Sequence, residues 1–390
     1  MTTFLIIWLC TQAIAAALVL AYSIGLGRPV TRAATPRAAI VMAVKGREPE
    51  FDECLKLLFA QDYPAFRVIF AVESDADPAV GAIELYRRTY PERVSLVVAG
   101  LADGEGQKTT NLLAAVARLS PDDEIVAFAD ADIWPEPDWL RRLIEPLTED
   151  RAEIVTGFSW MLVKDGKLSS LVMTAMAASV ATIPRLPMLN GVWGGSAAMR
   201  QKHFHALDMT KRWRGTLSDD LHLTNIAQEA GYRIAVPREI LLRTGIFTNG
   251  FRDVIDGARR WYMLVRVHLP VAYAVTVIAM SFVSLGWVFA LVGALSGDAF
   301  AVRIIVAALA LSALKSFGRL LLVRKLWGAA GVAENMPFLR FDWLVSPLAV
   351  LVNALCGWSA LFMRRTTWSG VTYEVRGPQD VVIVSRRAQP

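Results

Sequence analysis

The chain has 390 residues, 54% of them hydrophobic and 20% charged, with a formal net charge of +5. A mean hydropathy of +0.40 is too high for an ordinary soluble enzyme and calls for membrane segments. The basic balance, with a pI near 9.2, suits a face against anionic lipid; with no long Lys/Arg block and no RNA-binding motif, nucleic acid is not an expected partner.

Residues 2–27 carry no charge, enough to cross roughly 30 Å of hydrocarbon as a helix. A cleaved signal peptide would want a basic start and a shorter core, so 1–27 reads as a retained transmembrane anchor. Arg28, Arg32, Arg37 and Lys45 follow it, which by the positive-inside bias places the next domain in the cytoplasm. The protein is thus expected to be integral to a membrane, the inner (cell) membrane if the source is bacterial.

Residues 37–249 alternate in the α/β manner, as a doubly wound, Rossmann-like domain. Strands are expected at 38–44, 66–72, 94–99, 125–129 and 153–157, with amphipathic segments such as 49–61 and 109–119 between most of them. No Gly-x-Gly-x-x-Gly fingerprint or Walker loop follows a strand, so dinucleotide and P-loop chemistry are not expected.

Several polar groups fall where such a sheet binds ligands, beyond the carboxyl ends of its strands. Glu73, Asp75 and Asp77 follow the second strand and can accept from a nucleobase imide or ribose hydroxyls, or simply form a polar turn with Asp77 as a cap. Lys108 and Asn111 open a helix after a glycine-bearing loop, a place to hold phosphate or a plain surface loop. Asp130 and Asp132 follow the apolar run 125–129. Two hard oxygen donors facing one way suit a divalent cation that also grips a diphosphate; the alternative is a solvated turn.

Residues 168–183, with Met173 and Met176, are almost uncharged: either a core helix or a helix lying in the interface beside a lipid entrance. Trp193, Gly194 and Gly195 could floor a sugar or acceptor headgroup. Asp219 and Asp220 stand at a helix start, where capping explains only one acid. Arg259, Arg260 and Trp261 lie in 250–269, ahead of an apolar region, as an interfacial anchor or something more.

From 270 to 363 the chain reads as membrane, with spans at 271–295, 300–323 and 344–363. Lys315 and Arg319 are close enough to Arg324 and Lys325 to snorkel outward. Three crossings would put the tail outside, whereas the arginines of 364–390 argue that it stays inside; a re-entrant or interfacial segment within 334–363, where Pro337 and Pro347 fall, resolves the conflict.

The order of these pieces resembles the family-2-type inverting glycosyltransferases of GT-A fold, and within them the ceramide glucosyltransferase branch, family 21. The likeness runs over about residues 1–376. It rests on the acids after the second strand, Asp130-Ala-Asp132, Asp219-Asp220 and Arg260-Trp261, joined by Asp62-Tyr63-Pro64, Asp77-Pro78-Ala79, Lys108-x-x-Asn111-Leu112 and Trp368-Ser-Gly-x-x-Tyr373. One departure is Gly257, where the family usually has Gln or Arg; Arg259 is the neighbouring charge.

The resemblance implies a metal-dependent, inverting hexosyltransferase. Mg2+ or Mn2+ would sit on Asp130 and Asp132; Lys108, Arg260 and their neighbours would hold a UDP-sugar; and Asp220, with Asp219 beside it, would be the base. The acceptor implied is a lipid hydroxyl, ceramide first, with diacylglycerol, a hopanoid or a polyprenyl phosphate as alternatives. A non-catalytic scaffold would be expected to have lost Asp132, Asp220 or Arg260, and all three are present.

Overall fold

A computed structural model describes residues 1–26, 34–47, 50–183, 190–246 and 248–387. Gly27, Arg28, Arg32 and Pro49, on which the anchor's end, two of its flanking charges and the start of the first amphipathic segment fall, lie outside the described residues.

Helix α1 (Thr2–Ile24) is uncharged, but one stripe of it is buried: Leu5, Trp8, Gln12, Ala16 and Val19, at the spacing of a helix-packing seam. The α/β pattern then begins. β1 (Ala38–Ala43), α2 (Phe51–Phe59), β2 (Phe66–Val72), α3 (Val80–Thr89), β3 (Val94–Val98), α4 (Gln107–Val116) and β4 (Ile125–Ala129) alternate strictly, and the four strands are parallel in the order β3-β2-β1-β4. β4 is buried along its whole length, as an unbroken apolar run in a doubly covered sheet should be.

Next come β5 (Ile133–Trp134), α5 (Trp139–Thr148), β6 (Ile154–Thr156), β7 (Phe158–Val163), α6 (Leu168–Ala181), β8 (Ser196–Arg200), α7 (Gln201–Ala206), α8 (Met209–Arg212), α9 (Asp219–Glu229), β9 (Ile234–Ala235) and β10 (Leu241–Ile246). β8 pairs antiparallel with both β4 and β6, so the main sheet is mixed, seven strands in the order β3-β2-β1-β4-β8-β6-β9. A second small sheet has the order β5-β10-β7, and its Trp160, Leu162 and Leu241 share a core with Leu322, Val323 and Phe338 from the last third of the chain.

The last third holds α10 (Phe251–His268), α11 (Pro270–Leu295), α12 (Ala299–Leu339) and α13 (Asp342–Ala360). With α1, the helices α11 to α13 are the four among the described residues that are long and apolar enough to cross a membrane. α12 is broken at Gly328, whose φ of 64° together with ψ of −156° lies in a region that glycine alone adopts without strain. Past the break it bonds to the α/β domain: the Trp160 indole donates to Asn335 at 2.7 Å, and Glu334 pairs with Lys164 and Arg243.

Two expectations need correcting. Arg319 does not snorkel: it is 3% exposed and paired with Asp342 at 2.5 Å, with Ser316 and Ser346 also donating to that carboxylate. An acid 23 positions away satisfies the guanidinium inside the bundle, which the local run of charges could not show. Nor is the carboxyl-terminal segment merely a basic tail. It folds into an antiparallel sheet, β11 (Arg365–Trp368), β12 (Val371–Gly377) and β13 (Asp380–Arg386), whose Val371, Tyr373, Val375 and Val381 pack on Leu217, Met263 and Leu264.

Candidate active site

The carboxyl end of β4 delivers Asp130, and the amino end of α4 delivers Lys108. Their side chains meet at 2.7 Å, and Lys108 also reaches Asp219 Oδ1 at 3.4 Å from the start of α9. Thus Lys108, Asp130 and Asp219, scattered over more than 100 residues of chain, converge at the sheet's switch from parallel to antiparallel pairing. Burial alone would lower the Lys108 ammonium, but Asp130, Asp219 and Asp220 outweigh it and hold its pKa raised. Asp219 is 4% exposed; burial first, and then Asp220 and Asp130, push its carboxyl up to about 7 against the pull of Lys108.

Asp220 is held differently. Its Oδ1 accepts from Ser218 Oγ at 2.6 Å and from the Leu221 N–H at 2.7 Å, and its Oδ2 accepts from the Gly194 N–H at 3.1 Å. These bonds fix the carboxylate's direction while leaving the residue partly exposed. Gly194 is the close-approach point: a Cβ there would lie 2.7 Å from Asp219 Oδ2 and 3.0 Å from Lys108 Nζ. The same loop touches Asp130, whose backbone N–H donates to the Gly195 carbonyl at 3.4 Å. A Cβ on Gly195 would run into the Trp193 ring, which leans on Phe158.

Asp132 is exposed just beyond Asp130. Against one ammonium, the carboxylates of Asp130, Asp132, Asp219 and Asp220 leave an excess of negative charge built from hard oxygen donors. Hard oxygen donors of this kind suit a divalent cation, but among the described residues no three His, Cys, Asp or Glu side chains stand close enough together to hold one.

At the end of β2, Asp77 turns inward, its carboxylate accepting from the N–H groups of Gly46 and Ala79 at 2.9 Å each. Asp75 is exposed, and Glu73 pairs with Lys45 at 2.5 Å. Asn111 is 1% exposed and donates to the Val44 and Ala71 carbonyls, tying β1 to β2 rather than pointing at solvent.

The Arg-Trp motif lies elsewhere, on α10. Arg259 and Arg260 line a cavity of about 550 Å³ together with Met173, Asp256, Thr366 and Thr372, and the Arg260 guanidinium sits 5.2 Å from the Trp368 ring centre. No acid pairs with either arginine among the described residues, and burial lowers the Arg260 pKa. Trp261 is 37% exposed. Gly257 faces α6 here: a Cβ would meet the Met173 methyl at 3.3 Å, so the space a longer residue would use is taken. Met173 and Met176 are 8% and 3% exposed, inside a helix packed by protein along most of its length. That is the core-helix alternative.

Three contributors have no sequence signal of their own. Ser218 looks like an ordinary helix cap, yet its hydroxyl goes to Asp220. Lys45 and Arg386 converge on Glu73 from opposite ends of the chain.

A Rossmann-like sheet with one antiparallel strand beside β4, acids gathered at that junction, and flanking membrane-length helices define a GT-A glycosyltransferase with membrane segments. The model of the family described as Glycosyl transferase family 21 matches residues 4–381, and the chain belongs to that family. Among curated relatives, a ceramide glucosyltransferase of Komagataella phaffii is 29% identical over 146 residues, 36% of this chain and 28% of that protein. One of Gibberella zeae is 28% identical over 123 residues, 29% of this chain and 23% of that protein. The matched part therefore spans only about a quarter of these relatives. Among solved structures, the mannosyltransferase PcManGT from Pyrobaculum calidifontis, in complex with GDP-Man and Mn2+, is 20% identical and covers 91% of this chain and 98% of its own, with a TM-score of 0.49. Staphylococcus aureus TarS gives 14% identity and 0.39, over 90% of this chain and 99% of its own. Neither reaches 0.5, so neither bears on the chemistry.

Proposed function

We propose that this protein transfers a hexose from a UDP-sugar to the hydroxyl of a membrane lipid, ceramide in the first instance, with inversion at the anomeric carbon. The observation that carries the reading is the fixed Asp220 carboxylate beside the Lys108, Asp130 and Asp219 cluster, in a family 21 chain. The acceptor oxygen attacks the anomeric carbon as the bond to the diphosphate breaks; the proton passes to Asp220 and the bonding electron pair leaves with the nucleotide. Lys108 lies where it can balance charge growing on that leaving group. Asp219 holds Lys108 in place, and Gly194 holds Asp220. Asp130 and Asp132 are the residues that would carry Mg2+ or Mn2+, whose charge would favour departure of the diphosphate.

The membrane arrangement supports a lipid acceptor. A two-chain lipid loses roughly 0.8 kcal/mol for each methylene drawn into water, so the acceptor should stay in the bilayer and raise only its hydroxyl. The exposed Phe251, Ile255 and Trp261 of α10 and Leu168 of α6 supply apolar surface for resting on that bilayer, with the catalytic domain on its cytoplasmic side. The carboxyl-terminal sheet docks on the catalytic domain, so α10 and the tail share one side of the membrane. With α11 and α12 crossing, α13 returns to the side it left.

Incubating the purified protein with UDP-glucose and ceramide, diacylglycerol, a hopanoid or a polyprenyl phosphate, and weighing the products, tests the reading. A hexosyl-lipid formed only with one of the last three acceptors would keep the chemistry and replace ceramide.

A further inference from the structure

The carboxyl-terminal strand reaches a place far from its own fold. Arg386, on β13, donates from Nη1 to Gln107 Oε1 at 3.1 Å and from Nη2 to the Ala102 carbonyl at 2.5 Å, and stands 3.8 Å from Glu73 Oε2. From β12 the Tyr373 hydroxyl accepts the Gln107 N–H at 3.1 Å, at the first residue of α4. Lys45, beyond β1, holds the same Glu73 oxygen at 2.5 Å. The group sits over the carboxyl ends of β1 and β2, one residue from Lys108, where an open α/β sheet meets its nucleotide. Side chains of Lys45, Glu73 and Arg386 are 16%, 15% and 24% exposed, so they are shielded but open to a ligand.

The bonding leaves a directed acceptor. Both cations converge on Glu73 Oε2, and no partner is found for Oε1 among the described residues. A carboxylate bonded through Oε2 to Lys45, with the Arg386 guanidinium 3.8 Å from the same oxygen, is turned so that its second oxygen can face N–H or O–H donors, the groups that a pyrimidine imide and a ribose offer. We propose that β13 completes a nucleoside subsite for the donor, in which Glu73 contacts the nucleoside and Arg386 is a positioning residue acting through Glu73 and Gln107. This rests on the reading of the protein as a UDP-sugar transferase. A simple strut holding the tail in place would use the Ala102 and Gln107 bonds but would not affect ligand through Glu73.

The test is a double-mutant cycle on the full-length protein in lipid nanodiscs, with UDP alone as the titrated probe. Glu73→Gln and Arg386→Met should each weaken UDP by about tenfold, and Arg386→Lys should recover most of that loss. In the Glu73→Gln background, Arg386→Met should add less than about twofold, because the two residues act as one unit. Tm and the acceptor KM should stay near wild type. Unchanged UDP affinity in Arg386→Met, or the same tenfold loss whether or not Glu73 is present, overturns the positioning role while leaving sugar transfer intact. Arg386→Met losing UDP only in step with Tm would make it a strut and overturn the role equally. If wild type binds no UDP at all, the donor reading itself fails, and the inference with it.

Discussion

A methyl group added at Gly194 has no free space, because it would stand 2.7 Å from Asp219 Oδ2 and 3.0 Å from Lys108 Nζ, neither of which is the far end of a loose surface chain. Gly194→Ala should therefore displace the two groups that border the proposed base and lower kcat about 100-fold, the usual cost of misplacing reacting groups by an ångström. Steady-state rates beside a melting curve check this; near-normal kcat would show that the loop can yield. Asp220→Asn should cost about 10² to 10⁴ in turnover and leave UDP binding nearly intact, since it removes a proton acceptor and no donor contact. A variant that keeps its rate would move the base to Asp219. At this scale much was legible: Asp130, Lys108, Asp219 and Asp220 stand out as polar residues after strands or at helix starts, and they meet. What was not legible is orientation. Asp77 and Asn111 fit the same pattern, yet the Asp77 carboxylate and the Asn111 amide N–H are taken up by nearby backbone and the Asn111 Oδ1 by the Gln107 side chain, a matter of three-dimensional contacts rather than residue type.

Between elements, the junction of α9 and α10 carries a buried histidine pair, His222 and His268, with ring centres 5.4 Å apart and, among the described residues, no hydrogen-bond partner found for either ring nitrogen of His268. Burial, and then the neighbouring His222, lower His268 to about 4. Because the folded value lies below the ordinary value of about 6.5, the stabilisation is complete above 6.5 and is lost as pH falls from there towards 4. Tm should drop over that window, and His268→Gln should flatten the drop; an equal slope in the variant would place the effect elsewhere. α6 yields a second prediction. Its apolar sequence fits a buried helix and an interfacial one equally, and periodicity cannot separate them when nearly every position is apolar. Met176 is 3% exposed among protein side chains, so Met176→Glu buries an unpaired charge and should unfold the protein rather than selectively block lipid transfer. Met173 lines the arginine cavity, where a carboxylate can find Arg259 or Arg260; Met173→Glu should fold and act on transfer alone. A well-folded Met176→Glu variant, seen by melting curve, would contradict this packing.

Across the whole molecule, the parallel strands and membrane-length helices were readable because each is a local run of apolar residues bounded by turns. β13 was not: its alternation is short, and its Arg386 belongs to a contact 279 positions away, so in sequence it reads only as charge. That contact supports a tail on the same side of the membrane as the α/β domain. An epitope at the carboxyl terminus and another inserted at the exposed Gly104 turn should become protease-accessible in the same vesicle orientation; opposite accessibility would mean that α13 crosses. Sugar transfer to a lipid is measured most directly by mass analysis of lipids after incubating the purified, membrane-embedded protein with UDP-glucose, Mg2+ or Mn2+ and ceramide. A ceramide species heavier by one hexose residue, absent in Asp220→Asn, is the expected product. No hexosylated product from any UDP-sugar and lipid acceptor, by a protein that is folded and binds UDP, would contradict it.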